Sequence, residues 1–265
     1  MNIHPTAVID PRAQLDSSVI VEPYVFIDGP VKIGPESRIG THTVVSGHTT
    51  IGARNTIGSF ATIGAPPQDI HYKGEPTELI IGEGNQIREY VSIHRATAKA
   101  TGKTLIGNNN MIMAYSHIAH DCIIADHVIM ANVATLAGHV EIGSHANLGG
   151  WVGVHQFCRI GDYAYIGGMS GIGLDVPPYV IMEGTRNQMR IAGINKIGLR
   201  RSGMDRETIK NLEDAFKILF RSPELLLKDS LAKLEEEMTD CLEVQLMVDF
   251  FRTSKRGVVK RTIDD

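Results

Sequence analysis

No stretch of this chain reaches ~18 consecutive apolar residues, so nothing in it reads as a membrane span. The opening Met-Asn-Ile-His-Pro lacks a basic segment leading into an apolar run, so no signal peptide is expected. Cysteine is scarce. Cys122, Cys158 and Cys241 are odd in number, widely spaced and without a CxxC pair, which argues against a disulfide framework or a zinc ribbon. Charge is modest, at 21% of residues with a formal net charge of -4, which excludes a strongly basic nucleic-acid binder. A phosphate-cradling P-loop, a dinucleotide GxGxxG after a strand and a serine nucleophile elbow are also missing. These absences lead us to expect a cytoplasmic protein in a reducing setting, with no cofactor and no nucleic-acid partner.

What is present is a period of six. Every sixth residue from Ile3 is aliphatic as far as Ile63, a short middle run gives Ile81, Ile87 and Ile93, and a final run extends from Ile106 to Ile172. Only Met130 among these anchors is not Ile, Leu or Val. The residue four after an anchor is usually small or β-branched, as in Val19, Val25, Cys122, Val128, Ala134, Val140 and Ala146. Glycine often follows the anchor, as in Ile33-Gly34, Ile51-Gly52, Ile142-Gly143 and Ile160-Gly161. Anchor and small residue can both point inward from a short extended segment, with glycine and polar residues at the corners between. An α-helix would need a period of 3.6, and a hairpin sheet longer alternating runs. The repeat resembles the hexapeptide-repeat acyltransferases. That resemblance implies an all-β solenoid: a left-handed parallel β-helix of triangular section, three hexapeptides (~18 residues) to a coil, with coils stacked at ~4.8 Å.

The expected organisation is a β-helix over 1–184 followed by an α-helical C-terminal domain over 185–265. Two polar, Gly- or Pro-containing stretches break the repeat, 65–79 and 95–104, and read as loops leaving the prism. After Pro177-Pro178 the hexads stop. Ile209, Leu212, Phe216, Leu219 and Phe220 share one helical face behind Asp205 as a candidate N-cap. Ser222-Pro223-Glu224 reads as the start of a second helix, and Val244, Met247, Val248 and Phe251 mark a third. Basic residues concentrate behind position 184, so the helical region is the more favourable side for an acidic partner.

Eleven histidines stand out. His94, His120, His139 and His155 follow anchors at positions that should face outward and cannot join the aliphatic ladder. Imidazole titrates near neutrality, as a general base for a hydroxyl must. A single exposed histidine is more often idle than not; several gathered beside Asp121 favour function. The spacings His117–His120 and His139–His155 do not match the histidine pair of metal-dependent relatives, so no metal is expected.

His117-Ile118-Ala119-His120-Asp121-Cys122, Leu136-Ala137-Gly138-His139, Val154-His155-Gln156-Phe157 and Asp175-Val176-Pro177-Pro178-Tyr179-Val180 occur in order, with Gln68-Asp69 and Ser92-Ile93-His94-Arg95 before them. Over essentially the whole chain these motifs resemble the UDP-N-acetylglucosamine O-acyltransferases of lipid A biosynthesis. The resemblance implies transfer of a (3R)-3-hydroxyacyl group from the thioester of acyl carrier protein to the glucosamine 3-hydroxyl of UDP-N-acetylglucosamine, in a homotrimer. It implies His120 as general base, Asp121 as its orienting carboxylate and the Gly138 N–H as oxyanion donor. Asp69, His71, His94, His117, His139 and His155 then match substrate-contacting positions, Gln156 and Gly168 the acyl groove, and Asn195 and Arg201 the uridine and phosphate contacts. The chain departs from the family at His71, where a lysine is common, and at Ile197, where a glutamate is common. An amide-forming reaction on the 3-amino sugar nucleotide, another hexapeptide-repeat acyltransferase and a non-catalytic trimeric scaffold remain open alternatives.

Overall fold

The computed structural model describes residues 2–185 and 188–259. Within these, short strands of mostly two residues wind into a left-handed parallel β-helix. Three sheets of eleven, nine and eight strands form the faces of the prism. Each strand pairs with the one a full coil ahead: Ile118 with Leu136, Leu136 with Val154, and Val154 with Ile172. One coil therefore takes eighteen residues, three hexads.

The hexad anchors line the interior. From Val21 to Ile172 each anchor is at most 4% exposed, and Val19, Val25, Cys122, Val128, Ala134, Val140 and Ala146 are fully buried beside them. The first three anchors differ: Ile3 is exposed and Ile9 and Leu15 are only half-buried, because among the described residues nothing stacks below the first coil. Polar residues take inward positions where they can satisfy one another. Buried Asn85 donates through Nδ2 to Asn55 Oδ1 (3.0 Å) and to the Gly107 carbonyl (2.9 Å), and its Oδ1 accepts the Asn110 N–H (2.9 Å).

Corners set the directions of the outward side chains. Many non-glycine corner residues hold φ near +60°, including Asp121, His139 and Phe157. Most residue types avoid this region, and Asn, Asp and His enter it most readily. Residues eighteen apart at a corner stack on one another, as His139 does on Phe157 with ring centroids 4.6 Å apart.

The two breaks in the repeat are looped-out excursions. Ile63 pairs with Ile93, and Ile93 with Ile118, each skipping more than one coil's length of chain. Strand structure runs to Ala65 before the first loop and resumes at Glu78; after the second it resumes at Lys103.

The C-terminal region departs from expectation in three ways. First, the largest sheet runs past residue 184: Val180–Glu183 is followed by Arg190–Ile194, which pairs with it antiparallel and closes the end of the solenoid. Arg186 and Asn187 between them, and residues 260–265, lie outside the described residues. Second, a six-residue helix, α1 (Lys196–Arg201), precedes the three expected, which are α2 (Arg206–Phe220), α3 (Leu227–Glu237) and α4 (Leu242–Thr253). Asp205 caps α2 by accepting from Glu207 N and Thr208 N, as expected. Third, Ser222-Pro223 does not begin α3. The Ser222 hydroxyl instead donates to the Lys217 carbonyl (3.2 Å) and closes α2. Among the described residues no helix is long and apolar enough to cross a membrane.

Candidate active site

Four coils bring the site together. His117, Thr135, Gly153 and Gly171 occupy successive positions on the outer surface of the nine-stranded sheet, one per coil. The column ends in two glycines, so a groove opens over them. It encloses about 540 Å³ and is lined by Gln68, Ala119, His120, Gly138, His155, Gln156 and Gly173, among others.

His120 sits at the polar end. Its Nδ1–H donates to Asp121 Oδ2 at 2.8 Å, which fixes the ring and leaves Nε2 for the groove. Asp121 is almost fully enclosed. Burial pushes its carboxyl up, but hydrogen bonds from His120 and Thr97 outweigh burial and hold it below the usual carboxylate range. It is therefore an anion at neutral pH, the partner an imidazole needs to accept a proton. His139 stands on the next coil, its Nε2 3.6 Å from Asp121 Oδ2 and its ring edge-on to His120. The donor atoms of His120, Asp121 and His139 lie within 4.8 Å of one another, close enough to share a cation. In the observed geometry the His120–Asp121 hydrogen bond spans that space, which is the arrangement of an acid–base pair.

Gly138 packs against the His120 ring. A Cβ built there would lie 2.5 Å from His120 Cε1 and 2.9 Å from Nε2, so only glycine leaves the imidazole where it is. Among the described residues no acceptor takes the Gly138 N–H. A base and an uncommitted backbone donor thus stand side by side at the groove.

Around this centre the other expected residues divide. His117 lies in the groove, its Nδ1 2.7 Å from the Ser92 hydroxyl, and its ring meets His94 edge-on at 4.9 Å. His94 is not outward-facing: it is 6% exposed, its Nδ1 lacks a partner among the described residues, and burial pushes its imidazole down to about 4. Burial also lowers His117 and His139, so these rings are neutral near pH 7. His155 and Gln156 line the groove beside Val154, Ile172 and Gly173, and His155 Nδ1 lies 3.1 Å from the Arg256 guanidinium. Asp69, on the first excursion, accepts from Lys99 Nζ (2.7 Å) and from the His71 N–H (2.8 Å), contacts that hold its carboxyl well below the usual range. His71 itself is exposed beside it.

Three expected residues lie elsewhere on the protomer. Gly168 is an exposed corner residue against the Gly150 backbone and does not line this groove; Gly153 and Gly171 form its floor. Asn195 caps α1, accepting from Gly198 N (3.1 Å) and donating to the Tyr163 carbonyl (2.9 Å). Arg201 is exposed in the last turn of that helix. Conversely, Thr97, Lys99 and Arg256 contact site residues without any signal in the sequence, while Ser92 and Gln68 stand there only within motifs. Thr97 and Lys99 belong to the phase-broken stretch 95–104, where position within the repeat carries no information.

Comparison with known proteins decides the family. The hexapeptide transferase model matches residues 30–65 and 103–138, and the second domain described for UDP-N-acetylglucosamine O-acyltransferases matches 175–259. A curated acyl-[acyl-carrier-protein]–UDP-N-acetylglucosamine O-acyltransferase from Halorhodospira halophila is 50% identical over 195 residues, covering 73% of this chain and 74% of the relative. The chain belongs to the UDP-N-acetylglucosamine O-acyltransferase family. Solved structures of such acyltransferases from Moraxella catarrhalis (44% identity, TM-score 0.94) and Acinetobacter baumannii (45%, 0.93) each cover 98% of this chain and all of their own. The family's fold thus extends through the C-terminal helices, and the groove lies on a framework that its members share.

Proposed function

We propose that the chain transfers a (3R)-3-hydroxyacyl group from the thioester of acyl carrier protein to the glucosamine 3-hydroxyl of UDP-N-acetylglucosamine, the first step of lipid A biosynthesis. One observation carries this reading: an imidazole locked through Nδ1 to a buried carboxylate, with a free backbone N–H beside it, at the head of a groove floored by glycine. In this mechanism His120 Nε2 takes the hydroxyl proton as the oxygen attacks the thioester carbonyl. The Gly138 N–H receives the oxyanion; such a donor contributes ~3 kcal/mol in known cases. Collapse expels the carrier thiolate, which takes the proton back from His120. Asp121 stays ionised throughout and stabilises the imidazolium. The apolar stretch past His155 and Gln156 takes the acyl chain, and Asp69, with Lys99 beside it, faces the sugar.

The working assembly in this reading is a homotrimer. The groove is open along one side of a convex prism, and a neighbour would supply the missing wall. An active 29 kDa species in light scattering would overturn this assembly. A cytoplasmic setting accords with three free, buried cysteines and with an acyl carrier protein donor.

The test is thioester cleavage of a 3-hydroxyacyl carrier protein with and without UDP-N-acetylglucosamine. Cleavage that depends on the nucleotide and yields its O-acyl product is expected. Cleavage indifferent to the nucleotide refutes the acceptor. A hundredfold preference for the 3-amino analogue would replace it.

A further inference from the structure

We propose that Thr97 is the positioning residue of the catalytic pair, and that the second excursion exists in part to deliver it. Asp121 can orient His120 only if its own carboxylate cannot rotate. Three contacts hold it besides the His120 bond. The Thr97 hydroxyl donates to Oδ2 at 2.8 Å, and the Thr97 N–H reaches Oδ2 at 3.1 Å and Oδ1 at 3.3 Å. From below, the Asp121 N–H donates to the Thr104 hydroxyl at 2.8 Å and pins the corner from which the side chain springs. Thr97 is itself 2% exposed, and its hydroxyl accepts the Lys99 N–H at 3.3 Å. The hydroxyl is therefore directed: its acceptor side is used by Lys99 N, and its hydrogen is committed to the carboxylate.

None of the three Thr97 contacts could come from the repeat. A regular coil would pair the strand at His94 with one eighteen residues on; here Ile93 pairs with Ile118, and the extra chain between them folds back over Asp121. The same turn sends the Lys99 ammonium to Asp69 at 2.7 Å on the first excursion. Arg95, at the start of the turn, reaches the Gly64 carbonyl (2.8 Å) and the Tyr72 hydroxyl (3.1 Å). One loop is thus fastened to the catalytic carboxylate on one side and to the first excursion on the other. Thr97 touches no part of the groove, so it acts through Asp121 and not on the substrate.

The inference rests on His120 being the base, and the experiment separates the two. Thr97→Val keeps the shape and removes the hydroxyl; Thr97→Ser keeps the hydroxyl. Both are compared with the parent in the full chain for kcat, for KM toward UDP-N-acetylglucosamine and for the His120 ring by ¹⁵N NMR. Thr97→Val is expected to lose about 10–100-fold in kcat, the scale of an ångström-level misplacement, with KM within about twofold. Thr97→Ser is expected to recover kcat to within about threefold of the parent. The His120 ring is expected as a single Nδ1–H tautomer in the parent and in Thr97→Ser, and as a mixture in Thr97→Val. Valine as active as the parent, or serine as impaired as valine, overturns the proposal. If the parent transfers no acyl group, the proposed function fails. The tautomer comparison then decides for Thr97 alone, and an unchanged His120 in Thr97→Val refutes it.

Discussion

Substituting Gly138 by alanine adds one methyl group and probes the base and the oxyanion donor together. The Cβ would sit 2.5 Å from His120 Cε1, 2.9 Å from Nε2 and 3.0 Å from Nδ1. Ordinary contact with an aromatic carbon needs about 3.5 Å, so the ring must retreat by roughly 1 Å. Retreat has two costs. The ring leaves its rotamer, at about 1 kcal/mol. The Nδ1–H bond to a buried carboxylate is stretched or lost, at about 1.5–3 kcal/mol. Together these approach about 3 kcal/mol, which in an activation barrier is roughly a hundredfold in rate. The contact made by the new methyl group is with a side chain at the edge of an open groove, so the fold should tolerate it. The expected outcome is a kcat reduced about a hundredfold with a melting temperature within about 3 °C of the parent. Activity within about threefold would mean that the His120 ring can move freely without loss, and the argument for a locked base would fail.

Other consequences reach further from the centre. Asn85→Ala removes the donor to Asn55 and Gly107 and the acceptor of the Asn110 N–H; leaving buried groups unpaired should cost about 3 kcal/mol, read as a lower urea midpoint at unchanged slope, and a loss under about 1 kcal/mol would contradict it. The pH dependence of stability has a definite sign. His94 titrates at about 4 when folded and near ~6.5 when unfolded, so between those values the unfolded chain binds more protons and stability falls as pH falls. Urea midpoints measured from pH 7 to 4.5 should drop, and less so in His94→Gln; an identical slope in that variant would show that other groups are responsible. Gly153→Val should shorten the longest acyl chain accepted. A Cβ at Gly153 meets nothing within 4 Å, so the side chain enters the groove without disturbing the coil; an unchanged chain-length profile, with a shift in Gly168→Met instead, would mean that the chain passes over the corner.

The parts of this protein that repeat were legible, and the reason is physical. An inward position recurring every six residues leaves an aliphatic signature that survives in one sequence, and Val21 through Ile172 obey it. Once a coil is eighteen residues, offset in sequence becomes proximity in space, so the repeat alone places Asp121 and His139 on neighbouring coils, where they meet. Signals failed where the period failed. Thr97 and Lys99 sit in a stretch whose register is lost, and their partners Asp121 and Asp69 lie 24 and 30 residues away with no rule relating them. His94 follows an anchor, which suggested exposure, yet it is buried against His117. Helix α1 is too short for an amphipathic stripe, so nothing in the sequence marks Asn195 as its cap. Ser222-Pro223 carried a helix-start pattern that the neighbouring Lys217 carbonyl claimed first.

The central claim is that His120 removes the proton from the acceptor hydroxyl. It is tested most directly by the kcat of His120→Ala against the parent, with a 3-hydroxyacyl carrier protein and UDP-N-acetylglucosamine, alongside the melting temperature of each. The imidazole is a groove-lining side chain outside the aliphatic core, so the fold should persist. A positioned general base contributes ~100–10,000-fold. The account predicts a folded variant that has lost activity on that scale; a folded variant that keeps kcat within about threefold of the parent would show that the proton goes elsewhere.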